Sequence, residues 1–504
     1  MHQAYAIADV REAEEQVRAG VPDGELMRRA AGGLAEVVVE RCRERQLERV
    51  VVLAGPGDNG GDALHAAALL ASEQQLVVEV VGVARELHAT GLASCGESGV
   101  RVHRLVPDAD EVPEVVRDRL GAAQLVVDGL LGIGGRAGLT GAMSDVAAMV
   151  PDTAYLLSVD LPSGADPTGE QPLGAEDGVT ALYADETVTF GVLKPVHLLP
   201  QTEVAVGRLT RVDIGVEVAA TPAVERLQPE DVIGRWPVPA ASDDKYRRGV
   251  LGVIAGSVDY PGAAVLCTTA ALEAGVGMVR YLGPDPVRDL VLASSPEVVP
   301  GQGRIQAMVM GPGVPLQDGE TADRRQIQWF RQALASEVPL VVDAGALQLL
   351  AQWQRTGHLR CEAPTLLTPH AGELAGLLTE LRQEQVTREQ VEADPVRHAR
   401  RAARTTGAVV LLKGATTVIA DPDPQVPVRT QADAPTWLAT AGSGDVLAGL
   451  CGALMAAGVE PREAASLGAL VHGLAGHRAN PGGPVRASAV ARAIPGVVSE
   501  LLGR

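Results

Sequence analysis

Along the chain, short apolar runs that end in glycine or aspartate alternate with alanine-rich stretches of helical periodicity. That alternation is the signature of strands joined by crossover helices. In the first half, RVVVLAG (49–55), LVVEVVGVA (76–84), QLVVDGLLG (124–132) and YLLSVDLPSG (155–164) predict strands. Their apolar character is nearly continuous, as in a parallel sheet covered on both faces, so a doubly wound α/β domain is expected. Between about 216 and 245 the rhythm stops, and the segment there carries four prolines. A boundary near 222 divides the chain into expected domains 1–222 and 223–504. The pattern resumes in RGVLGVIAGS, AMVMGPGV, VPLVVDAGAL, PTLLTPHAGE and GAVVLLKGATTVIA, interleaved with helical stretches such as PGAAVLCTTAALEAG. The second half is therefore α/β as well, and no repeat links the halves.

Composition narrows this picture. A chain of 504 residues is too long for one hydrophobic core. With Phe 2, Tyr 6 and Trp 4 against 57 glycines and 46% hydrophobic residues, its cores must be built from Ala, Val and Leu. A net charge of −20 without any Lys/Arg-rich run argues against a nucleic-acid partner. Cys42, Cys95, Cys267, Cys361 and Cys451 form no C-x-x-C and are expected to be free thiols in a reducing compartment. The opening MHQAYAIADVREAEEQ has no apolar leader core and no run is long enough to span a bilayer, so a soluble, cytoplasmic protein without a membrane partner is expected.

The segment RVVVLAGPGDNGGDALHAAALLAS reads as strand, glycine-rich turn and helix, an arrangement that aims backbone N–H groups at an anion. Gly55, Gly57 and Gly60 satisfy G-x-G-x-x-G, with Glu79 near the place of a ribose-binding acid, so a dehydrogenase is one reading. Against it, DNGGD sets two carboxylates where a pyrophosphate would lie. Two further strands end in Asp128 and Asp160, and strand carboxyl ends are where open α/β sheets assemble sites. Asn59, Asp128 and Ser163 would offer hard oxygen ligands to an alkali or alkaline-earth cation. Taken singly, Asn59 and Ser163 read as turn residues and the two aspartates as helix caps.

LMRRAAGGLA, GPGDNGGDAL, VVDGLLGIG, VDLPSG and FGVLKP, in this order, resemble the NAD(P)HX epimerase domain, a Rossmann-like fold, over most of residues 5 to 215. The resemblance implies a potassium ion held by Asn59, Asp128 and Ser163. It also implies substrate contact by the loop Asp58, Asn59, Gly60, Gly61 and Asp62, by Gly132, Ile133, Gly134, Gly135, Arg136, Ala137 and Gly138, and by Asp160. Epimerisation at C6 of a hydrated nicotinamide needs reversible hydroxyl loss or ring opening, and Asp160 is the group expected to exchange the proton. Asp58 stands where the family usually has Asn, and Ala63 where it has Gly.

In the last hundred residues, TWLATAGSGDVLAGLCGALMAAG places a small-residue turn before a long Ala/Leu helix. Gly442, Ser443 and Gly444 can present N–H groups to a transferring phosphoryl group, and the helix dipole adds positive potential. Asp445 can take a proton from an attacking hydroxyl. The same dipole favours the ionised carboxylate and weakens it as a base, although phosphoryl transfer depends more on positioning than on basicity. The bland reading of Ser-Gly-Asp is an ordinary N-cap. Upstream, Lys413, Gly414, Ala415, Thr416 and Thr417 form a turn suited to nucleotide phosphates, whose bland reading is a hairpin with a surface lysine. His370 and Glu373 lie at a strand end, and Gly311 and Gly313 mark a close-approach turn.

The GSGD and KGATT turns resemble the ribokinase-like superfamily. With KYRRGVLGVIAGSVDYPGAAVLCTTAALEAGVGMVR, VVDAGAL and TPHAGE, the second half is similar to the ADP-dependent NAD(P)HX dehydratase domain over roughly 225 to 500. That resemblance implies ADP, with Mg2+, bound by 413–417 and Gly444. It implies substrate contact by Ala263, Gly313, His370 and Asp445, with Asp445 the base for the C6 hydroxyl. Ser443 stands where Thr is commoner, and Ala371 where Pro is frequent. The substrates implied are NADHX and NADPHX, and relatives suggest a homo-oligomer. The competing reading is a ribokinase-superfamily small-molecule kinase fused to a nucleotide-binding module, and a non-catalytic role for the first domain is a further alternative.

Overall fold

The computed structural model describes residues 1–73, 75–106, 111–174, 180–315, 324–355, 363–382 and 384–504, so Cys361 lies outside the described residues. The chain forms two compact units, Gln3–Val224 and Glu225–Arg504, with Met1–His2 grouped with the latter. The division thus falls two residues beyond the expected one. In the proline-bearing stretch only a short strand, Val224–Arg226, and a 3-10 turn, Pro229–Val232, are regular.

In the first unit, seven parallel strands are ordered Arg101–Leu105, Val77–Val83, Arg49–Ala54, Leu125–Gly129, Tyr155–Val159, Glu186–Phe190 and Arg208–Val212. Chain order reverses between Arg49–Ala54 and Leu125–Gly129, the switch point at which doubly wound sheets bind ligands. Alternation across the sheet is visible residue by residue. Val50, Val52 and Ala54 join one apolar layer, while Val51 and Leu53 join the other. The strands at 101, 186 and 208 escape the sequence pattern because they carry charged or hydroxyl residues (RVHRL, ETVTF, RLTRV), some of them engaged in polar contacts.

The glycines after the first long strand are explained by close approach. A Cβ on Gly55 would lie 1.8 Å from the Leu130 carbonyl oxygen, and one on Gly60 would lie 2.0 Å from that of Gly55. Only residues without a side chain let this helix start so near the sheet. Gly60→Ala is therefore expected to destabilise the unit by about 1–3 kcal/mol. Denaturant unfolding of variant and wild type checks this.

The second unit is built on a sheet ordered Val428–Gln431, Thr417–Ala420, Val409–Leu412, Thr365–Leu367, Leu340–Val342, Ala307–Met310, Val250–Ile254, Met278–Tyr281 and Val299–Pro300. The run from Val409–Leu412 onward is parallel, and Thr417–Ala420 returns antiparallel. Helix Ser443–Ala456 packs on Pro261–Glu273 so closely that a Cβ on Gly449 would meet the Cys267 carbonyl oxygen at 2.2 Å. Cys42, Cys95, Cys267 and Cys451 are buried free thiols. No helix among the described residues is long and apolar enough to cross a membrane.

Candidate functional sites

In the first unit, four strand ends deliver side chains to one place. After Arg49–Ala54, the turn is shorter than expected. Gly57, at φ 84°, is already the N-cap, so Asp58 to Asp62 form the first turn of helix Asp58–Leu70 and not a loop. The helix's N–H groups without a side-chain cap lie in that turn, so the anion cradle expected from the sequence falls at the helix end. Glu79 sits within its strand, paired with His103 at 3.5 Å and Arg119 at 3.3 Å, and is no ribose ligand at a strand end. This removes the dehydrogenase fingerprint.

Asn59, Asp128 and Ser163 converge. The Asn59 amide donates to the Leu131 carbonyl (3.0 Å), and the Ser163 hydroxyl donates to Asp128 Oδ1 (2.5 Å) while accepting from the Leu131 N–H (2.9 Å). Asp128, fully buried, also accepts from the Ser158 hydroxyl (2.8 Å) and from the backbone N–H of Ser163 (2.9 Å). Burial pushes its carboxyl up in spite of those donors. Neither Asp128 nor Asp160 caps a helix, because Asp128 lies in a strand and Asp160 directly follows one. The stretch Gly132 to Gly138 follows over the same strand end, held where the Gly138 N–H donates to Gly164 (2.8 Å) and Arg136 donates to Thr140 (3.0 Å).

Asp160 stands at φ 64°, a conformation that few residues other than glycine adopt. Three groups hold it. Lys194 Nζ donates to its Oδ1 at 2.5 Å, Thr189 donates at 3.0 Å, and the His197 ring meets its carbonyl oxygen at 2.7 Å. Lys194 is wholly buried and bonds Thr189 and the Phe190 carbonyl as well. Burial alone would raise the Asp160 carboxyl, but the Lys194 charge and hydrogen bond outweigh it and hold the group below the usual carboxylate range. Burial pushes His197 down to about 4, so its ring is neutral. Sequence reasoning missed Lys194, Thr189 and His197. The available signal was a lysine just past the strand end, after the apolar run of FGVLKP.

In the second unit the GSGD and KGATT turns meet. Lys413 Nζ lies 3.3 Å from the place a Cβ on Gly444 would occupy. The same ammonium donates to Asp343 Oδ1 (2.9 Å) and lies 3.6 Å from Glu373, which pairs with His370. Gly414 to Thr416 form the hairpin turn into Thr417–Ala420, but Lys413 is largely withdrawn from solvent and the bland surface-lysine reading fails. Burial lowers the lysine while Asp343 and Glu373 raise it, and the carboxylates win. Gly442, at φ 89°, is the N-cap of helix Ser443–Ala456 without any side-chain cap, so Asp445 is in the first turn and is no N-cap.

Burial and the Asp343 charge push Asp445 up to about 7, against the opposing pull of Lys413. The rise from burial and Asp343 runs against the lowering expected from the helix dipole. Gly313, at φ 64°, is packed so that its Cβ would meet Ala263 at 2.6 Å, which joins those two expected contacts on a second wall. The walls connect because Gly442 abuts Leu266, one turn along from Ala263. Asp343 and Thr368, which donates to it at 2.9 Å, were missed. The motif VVDAGAL carried that signal, with Ala344 at φ 45° marking the bend.

Two α/β units, each with a carboxylate–lysine pair at its sheet's carboxyl end, define a protein with two candidate enzyme centres. A family model described as YjeF-related protein N-terminus matches residues 23–196, and one described as NAD(P)H-hydrate dehydratase matches 251–494. The bifunctional NAD(P)H-hydrate repair enzyme Nnr of Mycobacterium leprae (strain TN) is 41% identical, with 98% of this chain and 95% of that protein aligned. Its namesake in Corynebacterium glutamicum is 33% identical, over 90% of this chain and 87% of that protein. Among solved structures, an ADP/ATP-dependent NAD(P)H-hydrate dehydratase from Bacillus subtilis, co-crystallized with ATP/Mg2+, is similar at 25% identity. It aligns with a TM-score of 0.48 over 55% of this chain and 99% of that one. The chain belongs to the family of bifunctional NAD(P)H-hydrate repair enzymes.

Proposed function

We propose that the first unit interconverts the R and S epimers of NADHX and NADPHX, and that the second dehydrates the S epimer with ADP as phosphoryl donor. The observation that carries the second half is the juxtaposition of Lys413, Gly444 and a carboxylate, Asp445, raised to about 7. Asp445 takes the proton of the C6 hydroxyl, whose oxygen attacks the terminal phosphorus of ADP and releases AMP. Lys413 and the N–H groups of residues 414–417 and Gly444 hold the charge of the donor phosphates. Phosphate then leaves C6 with the bonding electrons and a proton leaves C5, which restores the dihydronicotinamide. Ala263, Gly313 and His370 contact the substrate. No cluster of three His, Cys, Asp or Glu among the described residues forms a metal cage. Mg2+ in this reading arrives bound to the nucleotide phosphates, as that ion commonly does.

In the first unit the donor set fits potassium. Asn59 gives its amide N–H to Leu131, which leaves its carbonyl oxygen, with the Asp128 carboxylate and the Ser163 hydroxyl, as a set of hard oxygen donors. The bound ion would supply positive charge near the substrate's phosphates or hydroxyl. Asp160 exchanges the proton, and residues 58–62 and 132–138 bind the substrate. Asp128→Ala is expected to reduce R-epimer conversion strongly and to leave S-epimer dehydration intact. Unchanged R-epimer conversion in an assay of separated epimers would contradict the placement of the ion. A cytoplasmic, homo-oligomeric enzyme is the setting this reading supposes.

A further inference from the structure

Helix Ile7–Ala19 lies N-terminal to the glycine-rich turn and to all of the first unit's site residues. Arg11, Glu14 and Arg18 are spaced three and four residues apart and therefore share one of its faces. Both ends of that face are tied to the first unit's site. Arg11 Nη2 donates to the Ile133 carbonyl at 2.9 Å, within the 132–138 stretch, and Arg18 lies 3.7 Å from Asp58 at the head of the 58–62 turn. Glu14, between them, is half-buried and within electrostatic range of Lys194, Asp160, Arg18 and Asp58. Asp62, in turn, feels Glu14 together with Asp160 and Asp58. Arg11 and Arg18 thus place the helix beside both segments of the site, and the carboxyl between them is within electrostatic range of the same group of charges.

We propose that Glu14 is a catalytic acid of the epimerase reaction, giving its proton to the C6 hydroxyl of the hydrated nicotinamide while Asp160 serves as the complementary base. The assignment rests on reading the Asp160 site as the epimerase centre. In the forward step the Glu14 proton passes to the C6 oxygen, and the C6–O bond breaks with its electron pair leaving on water. The lone pair of N1 closes an N1=C6 iminium. Water then adds to the other face of C6, the iminium electrons return to N1, and the proton lost by that water goes to Asp160. Solvent restores both protonation states. The ionised carboxylate of Asp160 also stabilises the cationic ring between the two steps.

The environments of the two acids separate as such a pair requires. Burial raises the Glu14 carboxyl, and Asp160 and Asp58 add to the rise while Lys194 and Arg18 oppose it. Asp160 is held ionised by Lys194 against its burial.

The test uses the full chain without ADP, with purified R epimer of hydrated NADH and chromatographic quantitation of both epimers across pH. Glu14→Gln is expected to lower kcat by about 10²- to 10⁴-fold with KM little changed. It should also abolish the alkaline limb of the profile, where wild type loses activity as Glu14 deprotonates. Glu14→Asp should restore part of the rate and keep that limb. A Glu14→Gln enzyme within about threefold of wild type, beside an inactive Asp160→Asn, would overturn the role of Glu14 alone. So would a slow Glu14→Gln enzyme that kept the wild-type alkaline limb, since the limb would then belong to another group such as Asp62. A fully active Asp160→Asn would instead remove the site reading on which the proposal stands.

Discussion

Asp445→Asn is expected to lower dehydration of the S epimer by about 10²- to 10⁴-fold while ADP binds as before. Asn keeps the shape of the side chain. The helix start does not depend on residue 445, because its N-cap is Gly442 in a left-handed conformation. Nucleotide contacts through Lys413 and the backbone of the two turns stay in place. What disappears is the carboxylate proposed to accept the proton. Burial and Asp343 raise that acceptor to about 7, so the wild-type rate should fall about tenfold between about pH 8 and about pH 6 as the base is protonated. Neutralising Asp343 removes a charge that raises Asp445, and Asp343→Asn should move this limb to lower pH. Calorimetry for ADP and absorbance for dehydration, on wild type and variant, check the pair of expectations. A variant that binds ADP and dehydrates at nearly the wild-type rate would exclude Asp445 as the base.

Asp160→Asn should abolish epimerisation and leave dehydration of pure S epimer unaffected. Two losses combine in it. The carboxylate proposed to exchange the proton is gone, and the hydrogen-bond partners left to the buried Lys194 ammonium among the described residues, the Thr189 hydroxyl and the Phe190 carbonyl besides the new amide, are neutral. Breaking a buried ion pair in this way can cost about 3–5 kcal/mol, so the first unit should also unfold earlier. The sign of the pH dependence follows from the depressed Asp160 carboxyl. Its stabilising contribution is complete above the ordinary carboxylate range and is lost as pH falls through its lowered folded value. The variant should lack that acid-side dependence. Thermal unfolding followed across acidic pH, beside the epimer assay, measures both.

Much of this architecture was legible in the sequence because parallel strands buried on both faces write themselves as continuous apolar runs, as RVVVLAG and QLVVDGLLG do. Strands bearing charged or hydroxyl residues are silent by the same rule. ETVTF is fully buried, yet Glu186 lies inside against Arg41 at 2.7 Å and Tyr155 at 2.9 Å, partners far away in sequence. The sites divide likewise. Motif glycines and acids such as Gly444, Asp445 and Asp128 announce themselves at strand and helix ends, where geometry restricts the residue type. Lys194 and Asp343 pair with Asp160 and Lys413 across the fold, so FGVLKP and VVDAGAL show the residues but not their partners. Asp445 shows the same limit for electrostatics. Its helix dipole is visible in sequence, whereas the burial and the Asp343 charge that overrule it exist only in three dimensions.

One chain is expected to carry both activities, each in its own unit. The most direct test incubates the full chain with an equal mixture of R and S hydrated NADH, with ADP, with ATP or with neither, and follows dihydronicotinamide absorbance and the amount of each epimer. Full recovery of absorbance from both epimers is expected with ADP, with release of AMP and phosphate in equal amounts, and epimer interconversion alone when the nucleotide is omitted. Accumulation of a stable phosphorylated product without recovered absorbance, or conversion of the S epimer with the R epimer left untouched, would contradict it.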